Sequence, residues 1–333
     1  AYVPLIKFTY KNMNFDLLHC ILPYETLDIF HDESFLFDDS ILRKLDSKSF
    51  LSLNGVRTTE KILKLVPNVD HFLDLLSVVR KWAKKRCIYS NIMGYWGGIT
   101  WTIAVANICQ LYDKADTKSL FKIFLKVMSK WSWPSPLTIA KIDNFRYSPD
   151  LEPWNPSRVE HEYMPVLTPS YPSKNSSYNV MKSTASLLKK EFKRAYKLAC
   201  DDKNDNNDEN YNKIFDDSTF LTDYKQYIVI SPTTIQQECN KTWKGFVESK
   251  IKTFVKFLES SVDELEAIPY ANEVDGSFFI ALRFNDEIVE RDEKDEKERR
   301  KKLMNACEAF LSYLLSLPES PYVKDEMDIQ IQI

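Results

Sequence analysis

The chain has 333 residues, 45 Lys+Arg against 48 Asp+Glu, a formal net charge of −3, and 44% hydrophobic and 28% charged residues. This composition excludes wholesale disorder, collagen and coiled coil, and the charge balance excludes a uniformly basic nucleic-acid binder while leaving room for local basic patches. The longest nearly apolar stretch, around residues 97–109, falls short of the ~20 residues a membrane-spanning helix needs.

The chain is long enough for two or three domains. Its cysteines, Cys20, Cys87, Cys109, Cys200, Cys239 and Cys307, are scattered without a Cys-x-x-Cys pair, which argues against a disulfide framework or structural zinc and for a reducing compartment. No signal peptide or membrane anchor is visible. The first residue is Ala rather than Met, so the expectation is a chain that starts inside a longer natural protein.

Residues 1 to about 22 read as two strands about a polar turn at Lys11-Asn12, too little to stand as a domain. From about 38 to 195 the period is helical. Apolar residues recur at three- and four-residue steps over 68–85, residues 98–112 are apolar almost all round, and 116–131 carries one apolar stripe with Asp116 or Thr117 as N-cap. Residues 145–178, rich in Pro, Ser, Asn and Tyr, read as a long ordered loop, and 180–199 as an amphipathic helix. The Asn/Asp-rich stretch 201–213 reads as a disordered insertion. Beyond it come a strand (227–230), a helix (241–258), two strands (265–270 and 278–284) joined across Asp275-Gly276, a helix (291–315) and an alternating strand at Ile329, Ile331 and Ile333. Pro269 favours an edge strand. The β-α-β-β-α-β order is ferredoxin-like, as in RNA-recognition modules.

The segment 54–102 carries most of the chemistry. Arg80, Lys81, Lys84, Lys85 and Arg86 crowd one helix end, with Arg80 and Lys84 sharing a face; Tyr89 and Asn91 follow, and Gly97-Gly98 opens the next helix. Cations neutralise phosphates, a ring stacks on a base, an amide reads its edge, and glycines at a helix N-terminus let backbone N–H groups approach an anion. The same residues would equally serve as a solvated basic face, a packing tyrosine and a glycine-requiring loop. His19, His31, His71 and His161 have no metal-ligand spacing.

Several motifs then occur together: Leu53-Asn54-Gly55-Val56-Arg57, Leu65-Val66-Pro67-Asn68, Lys81-Trp82-Ala83-Lys84, Ile88-Tyr89-Ser90-Asn91-Ile92-Met93-Gly94, Gly97-Gly98 and Lys130-Trp131-Ser132-Trp133-Pro134. Met164-Pro165, Leu167-Thr168-Pro169, Tyr178-Asn179-Val180 and Trp243 through Glu248-Ser249-Lys250 follow. In this order and spacing they resemble eukaryotic nuclear poly(A) polymerases over about residues 1–260.

The resemblance implies an α+β molecule: the end of a nucleotidyltransferase palm (1–40), an all-helical middle, nucleotide-binding domain (41–198), and a ferredoxin-like, RNA-recognition-like C-terminal domain (199–333). It implies template-independent transfer of AMP from ATP to RNA 3′ ends, a two-metal site using Mg2+ or Mn2+, a nuclear location, cleavage and polyadenylation factors as partners, no membrane, and a monomer. Position by position it assigns Asp16 to the metal near the primer 3′-OH. It assigns Asn54, Arg80, Lys84, Tyr89, Asn91, Gly97, Gly98, Ile99 and Thr168 to ATP.

Arg80 stands where the family usually has Lys, and its forked guanidinium changes the contact geometry. The family's Gly-Ser and paired Asp-x-Asp motifs belong upstream of Ala1, so the expectation is that these 333 residues do not catalyse the transfer alone. Basic runs including Lys189, Lys190 and Lys193, and Lys250 and Lys252, are candidates for RNA phosphates, with solvated helix faces as the alternative. A different class of function, a non-catalytic RNA-binding scaffold derived from such a polymerase, stands beside the enzyme reading.

Overall fold

The computed structural model describes residues 5–22, 33–142, 147, 150–157, 162–200, 211–284 and 293–333. They form two compact units, each drawn from several chain segments: residues 1–77, 99–124 and 132–178, and residues 78–98, 125–131 and 179–333.

In the first unit β1 (Leu5–Tyr10) and β2 (Met13–Leu18) form an antiparallel hairpin. Lys11 and Asn12 both have positive φ, 46° and 60°, which matches the twist a two-residue hairpin turn requires. A 3-10 turn (Glu33–Phe37), α1 (Asp39–Leu42) and α2 (Ser47–Leu65) follow. The unit also holds the start of α3 (Val69–Lys85) and most of α4 (Gly98–Leu111) and α5 (Thr117–Lys130). Acidic N-caps start α2 and α5: Asp46 accepts from the backbone N–H of Lys48 and Ser49, and Asp116 from that of Ser119 at 3.1 Å. The 19-residue α2 reads in the sequence only as part of a general helical region, because Asn54-Gly55 interrupts its stripe.

Leu36, Leu42, Leu45, Phe50, Leu53, Leu151 and Tyr171 form a core cluster here. The buried Arg57 lies 4.9 Å over the Phe50 ring and donates to the Leu36 carbonyl at 2.8 Å. Residues 162–178 stay irregular yet buried because side chains satisfy their backbone. Asn175 Oδ1 accepts from the N–H of Val166 and of Ser177, and the Ser177 hydroxyl donates to the Met164 carbonyl.

The second unit contains α6 (Lys182–Ala199), α7 (Phe220–Asp223), β3 (Tyr227–Thr234), α8 (Gln237–Ser261), β4 (Leu265–Pro269), β5 (Phe278–Phe284), α9 (Glu293–Ser316) and β6 (Met327–Gln332). The sheet order is β4-β5-β3-β6 with every neighbour antiparallel, the ferredoxin-like arrangement expected from the element order. Pro269 sits on the edge strand β4. Asp275 and Gly276 have φ of 48° and 83°, and Val274 and Ser277 exchange backbone hydrogen bonds across them.

Helices α8 and α9 pack through stacked Phe254 and Phe310, 4.3 Å between centroids. Trp82 and Trp96 flank Phe192 of α6 at 5.6 and 5.5 Å. Several expectations change in extent, among them the helix expected over 241–258, which runs Gln237–Ser261. β3 continues past 230 to Thr234 because residues 229–234 pair with β6. Of the insertion, 201–210 lie outside the described residues, while 211–213 form a helical turn that leads into the buried Ile214.

Candidate nucleotide site

Helix α3 ends in a left-handed residue. Cys87 has φ 55°, its N–H donates to the Lys84 carbonyl, and the Ile88 N–H donates to Ala83 at 3.0 Å. This closure reverses the chain and brings Tyr89 back beside the last turns of α3. Cys87 Sγ donates to the Tyr270 hydroxyl at 3.1 Å and accepts from Asn272 Nδ2 at 3.4 Å. Burial pushes its thiol up, so it stays protonated and serves the turn rather than any nucleophilic chemistry.

The turn places Tyr89 beside two cations. Arg80 Nη2 donates to the phenol oxygen at 2.9 Å, with the guanidinium carbon 5.7 Å from the ring centroid, and Lys84 Nζ stands 5.5 Å from the same centroid. Arg80 and Lys84 are exposed and Tyr89 is half-buried. The other cations of the run separate by environment. Lys81 is exposed, Lys85 pairs with Asp217 at 3.0 Å, and Arg86 is buried against Glu191 at 3.0 Å.

Three of the chain's six glycines fall within 94–98. Gly94 has φ 83°, and a Cβ there would lie 2.9 Å from Met181 Cε and 3.1 Å from the Asn179 carbonyl, so only glycine fits. A Cβ on Gly97 would lie 3.0 Å from Asn91 Cβ, and one on Gly98 3.0 Å from the Tyr89 hydroxyl and 3.7 Å from Arg80 Nη2. Gly98 is the first residue of α4, so the helix's positive end lies beside the phenol and the guanidinium. Cation, ring, amide and helix N-terminus thus converge within one unit, an arrangement suited to a phosphorylated base.

The structure brings together Arg80, Lys84, Tyr89, Asn91, Gly97 and Gly98. Ile99, the next residue of α4, is exposed. Asn54 and Thr168 belong to the first unit. Asn54 lies 3.5 Å from Arg57 Nη1, and the Thr168 hydroxyl is buried without a partner among the described residues. Asp16 is exposed on the hairpin opposite Lys7. Among the described residues no group of three or more His, Cys, Asp or Glu could hold a metal ion. The described residues therefore offer no complete donor set for a two-metal site, Asp16 being the one carboxylate that the resemblance assigns.

Of the expected RNA contacts, Lys190 and Lys193 are exposed and Lys189 is half-buried. Lys250 pairs with Glu319 at 2.9 Å. Lys252 hydrogen-bonds Asn179, and burial followed by Lys256 lowers its ammonium's pKa.

Sequence reasoning missed one network. Arg86 Nε and Arg194 Nε both donate to Glu191, at 3.0 and 2.9 Å, and the two guanidinium groups also bind the carbonyls of Lys213, Ile214, Asp216 and Asp217. It ties segment 213–217 to the end of α3. Glu191, one acid in a basic amphipathic helix, was the available signal.

Three family models match in succession: "Poly(A) polymerase nucleotidyltransferase domain" at residues 1–66, "Poly(A) polymerase central domain" at 71–217 and "Poly(A) polymerase predicted RNA binding domain" at 219–306. A poly(A) polymerase of Dictyostelium discoideum is 36% identical over 299 residues, 86% of this chain and 36% of the relative. Nuclear poly(A) polymerase 1 of Arabidopsis thaliana is 35% identical over 276 residues, 82% and 38% of the two chains. Poly(A) polymerase PAPalpha of Candida albicans is 32% identical over 295 residues, 87% and 51%. The chain thus spans about a third to a half of the length of these relatives. With three models of one family in succession over most of its length, the chain belongs to the poly(A) polymerase family.

Proposed function

We propose that these residues serve a nuclear poly(A) polymerase that adds AMP from ATP to RNA 3′ ends without a template and releases pyrophosphate. The single observation that carries this reading is Tyr89 beside both Arg80 and Lys84, against the glycine start of α4. Arg80 and Lys84 bind and orient the triphosphate, Tyr89 stacks on the adenine, Asn91 reads its edge, and Gly97 and Gly98 keep the helix N-terminus open to anionic oxygen. The family resemblance extends the ATP contacts to Asn54, Ile99 and Thr168.

Divalent metals, Mg2+ or Mn2+, are the family's cofactor, with Asp16 as the carboxylate assigned here; no step is derived through them. The substrate RNA follows from the family's RNA-binding domain, with Lys189, Lys190, Lys193, Lys250 and Lys252 as candidate contacts. Two relatives are named nuclear poly(A) polymerases, which supports a nuclear location. Cleavage and polyadenylation factors are the proposed partners of a monomer. No helix among the described residues is long and apolar enough to cross a membrane.

The test is primer extension with an oligo(A) primer and each ribonucleoside triphosphate, using protein from the complete reading frame. Adenylation with a preference for ATP is expected. Tyr89→Ala and Lys84→Ala are expected to raise KM for ATP while RNA is retained, and Asp16→Ala to abolish extension with the fold intact. Extension at the parental rate by both site variants would remove the assignment. RNA binding without adenylation by the complete protein would favour the scaffold reading.

A further inference from the structure

The loop that carries Tyr89 is also held by the end of β4. Strand β4 has a neighbour in the sheet on one side only, and Pro269, its last residue, carries no N–H for an edge partner. Its carbonyl instead accepts from the Tyr95 hydroxyl at 2.6 Å, and Tyr95 is fully buried. The next residue, Tyr270, places its hydroxyl 3.1 Å from Cys87 Sγ, and Asn272 Nδ2 lies 3.4 Å from the same sulfur. Tyr270 is itself anchored: its N–H donates to the Phe279 carbonyl of β5 at 2.7 Å, and its ring lies 5.0 Å from the buried Phe220. Burial raises both phenols, Tyr270 to about 12, so each keeps its proton at neutral pH.

The two contacts fall on either side of Tyr89 in the chain, at Cys87 before it and at Tyr95 after it. The stretch between them is cross-braced. The Tyr95 N–H donates to the Ser90 carbonyl at 2.9 Å, Tyr89 and Trp96 form a β-bridge, and Thr184 Oγ1 donates to the Gly94 carbonyl at 2.6 Å. A displacement of Tyr95 is therefore passed to Trp96, through it to Tyr89, and along the chain to Gly97 and Gly98. A displacement of Cys87 reaches Tyr89 along the chain. A shift of about 1 Å in a group that orients a substrate is enough to weaken its use. Deleting either hydroxyl also leaves its partner buried without a hydrogen bond, which favours such a shift.

We propose that Tyr95 and Tyr270 are positioning residues for ATP: with the Pro269 carbonyl and Cys87 they clamp the loop on both sides of Tyr89 and fix its ring relative to the glycine start of α4. They act through Tyr89, Gly97 and Gly98. The inference rests on the reading of that site as the ATP site, and it makes the edge of the C-terminal sheet part of the site's frame.

The experiment is steady-state primer extension by protein from the complete reading frame, with ATP and an oligo(A) primer varied in turn. Tyr95→Phe and Tyr270→Phe each delete one hydroxyl and keep the ring. Each is expected to raise KM for ATP about threefold, the worth of one net hydrogen bond, and the two together about tenfold. The kcat and the KM for primer are expected to stay near parental. Ser231→Ala, which removes a hydrogen bond to Ser277 in the same sheet outside the clamp, is expected to leave KM for ATP unchanged. Parental KM for ATP in both Phe variants, or a fall in kcat without a rise in KM, overturns the positioning role, while adenylation by the parent keeps the ATP-site reading. An equal rise in KM in Ser231→Ala also overturns it, because the effect is then a general loosening of the sheet. A parent that does not use ATP overturns both.

Discussion

Gly98 and Gly55 separate two uses of glycine at the residue scale. A methyl on Gly98 would press on the Tyr89 hydroxyl, while one on Gly55 meets nothing within 4 Å. In protein from the complete reading frame, Gly98→Ala is therefore expected to shift the phenol and raise KM for ATP about tenfold in steady-state kinetics, without lowering the melting temperature. Gly55→Ala, in the interior of α2, is expected to stabilise the fold by about 0.5–1 kcal/mol in denaturant unfolding. A Gly98→Ala enzyme with parental KM would show that the ring does not set ATP affinity. The Gly-Gly pair was legible as a helix start. Which glycine touches Tyr89 was not, because that approach depends on the left-handed turn at Cys87.

The end of α3 is decided at the element scale. Arg86 and Glu191 are both nearly buried, with side chains 7% and 6% exposed. Burial works to raise the Glu191 pKa, but its hydrogen bond from Arg86 and the charges of Arg194 and Arg86 outweigh it and hold the carboxyl below its ordinary 4.5. A depressed carboxyl pKa contributes stability that is present above the unfolded value and is lost as pH falls through the folded one. The parent is thus expected to lose stability steeply below about pH 4.5, and Glu191→Gln to show a flatter decline in melts taken at successive pH values. At neutral pH that variant leaves Arg86 without its counter-charge and is expected to cost about 3–5 kcal/mol in urea unfolding. Identical pH profiles would mean that the pair carries no linkage. Sequence spacing grouped Arg86 with Arg80 and Lys84 because all are cations on one helix; only burial tells them apart.

For the whole molecule the hairpin at the start of the chain matters most. Its register sets Ile6, Phe8, Tyr10, Met13, Phe15 and Leu17 on one face and Lys7, Thr9, Asn14 and Asp16 on the other. The apolar face is exposed, with Ile6 at 64% and Leu17 at 56%, a patch that favours association. A protein of these 333 residues is expected to self-associate with concentration in sedimentation and to bind an apolar dye. Ile6→Lys with Leu17→Lys is expected to suppress both; unchanged behaviour would place the sticky surface elsewhere. The strands, the helical middle and the βαββαβ order were legible because hydrophobic period and turn chemistry are local properties of the chain. So were the residue types gathered around Tyr89, through motif order. The tertiary structure alone decided which cations face Tyr89, which are buried against Glu191, and which residues at the end of β4 meet Cys87 and Tyr95. Those outcomes depend on distances between segments far apart in the chain, and no local period encodes them.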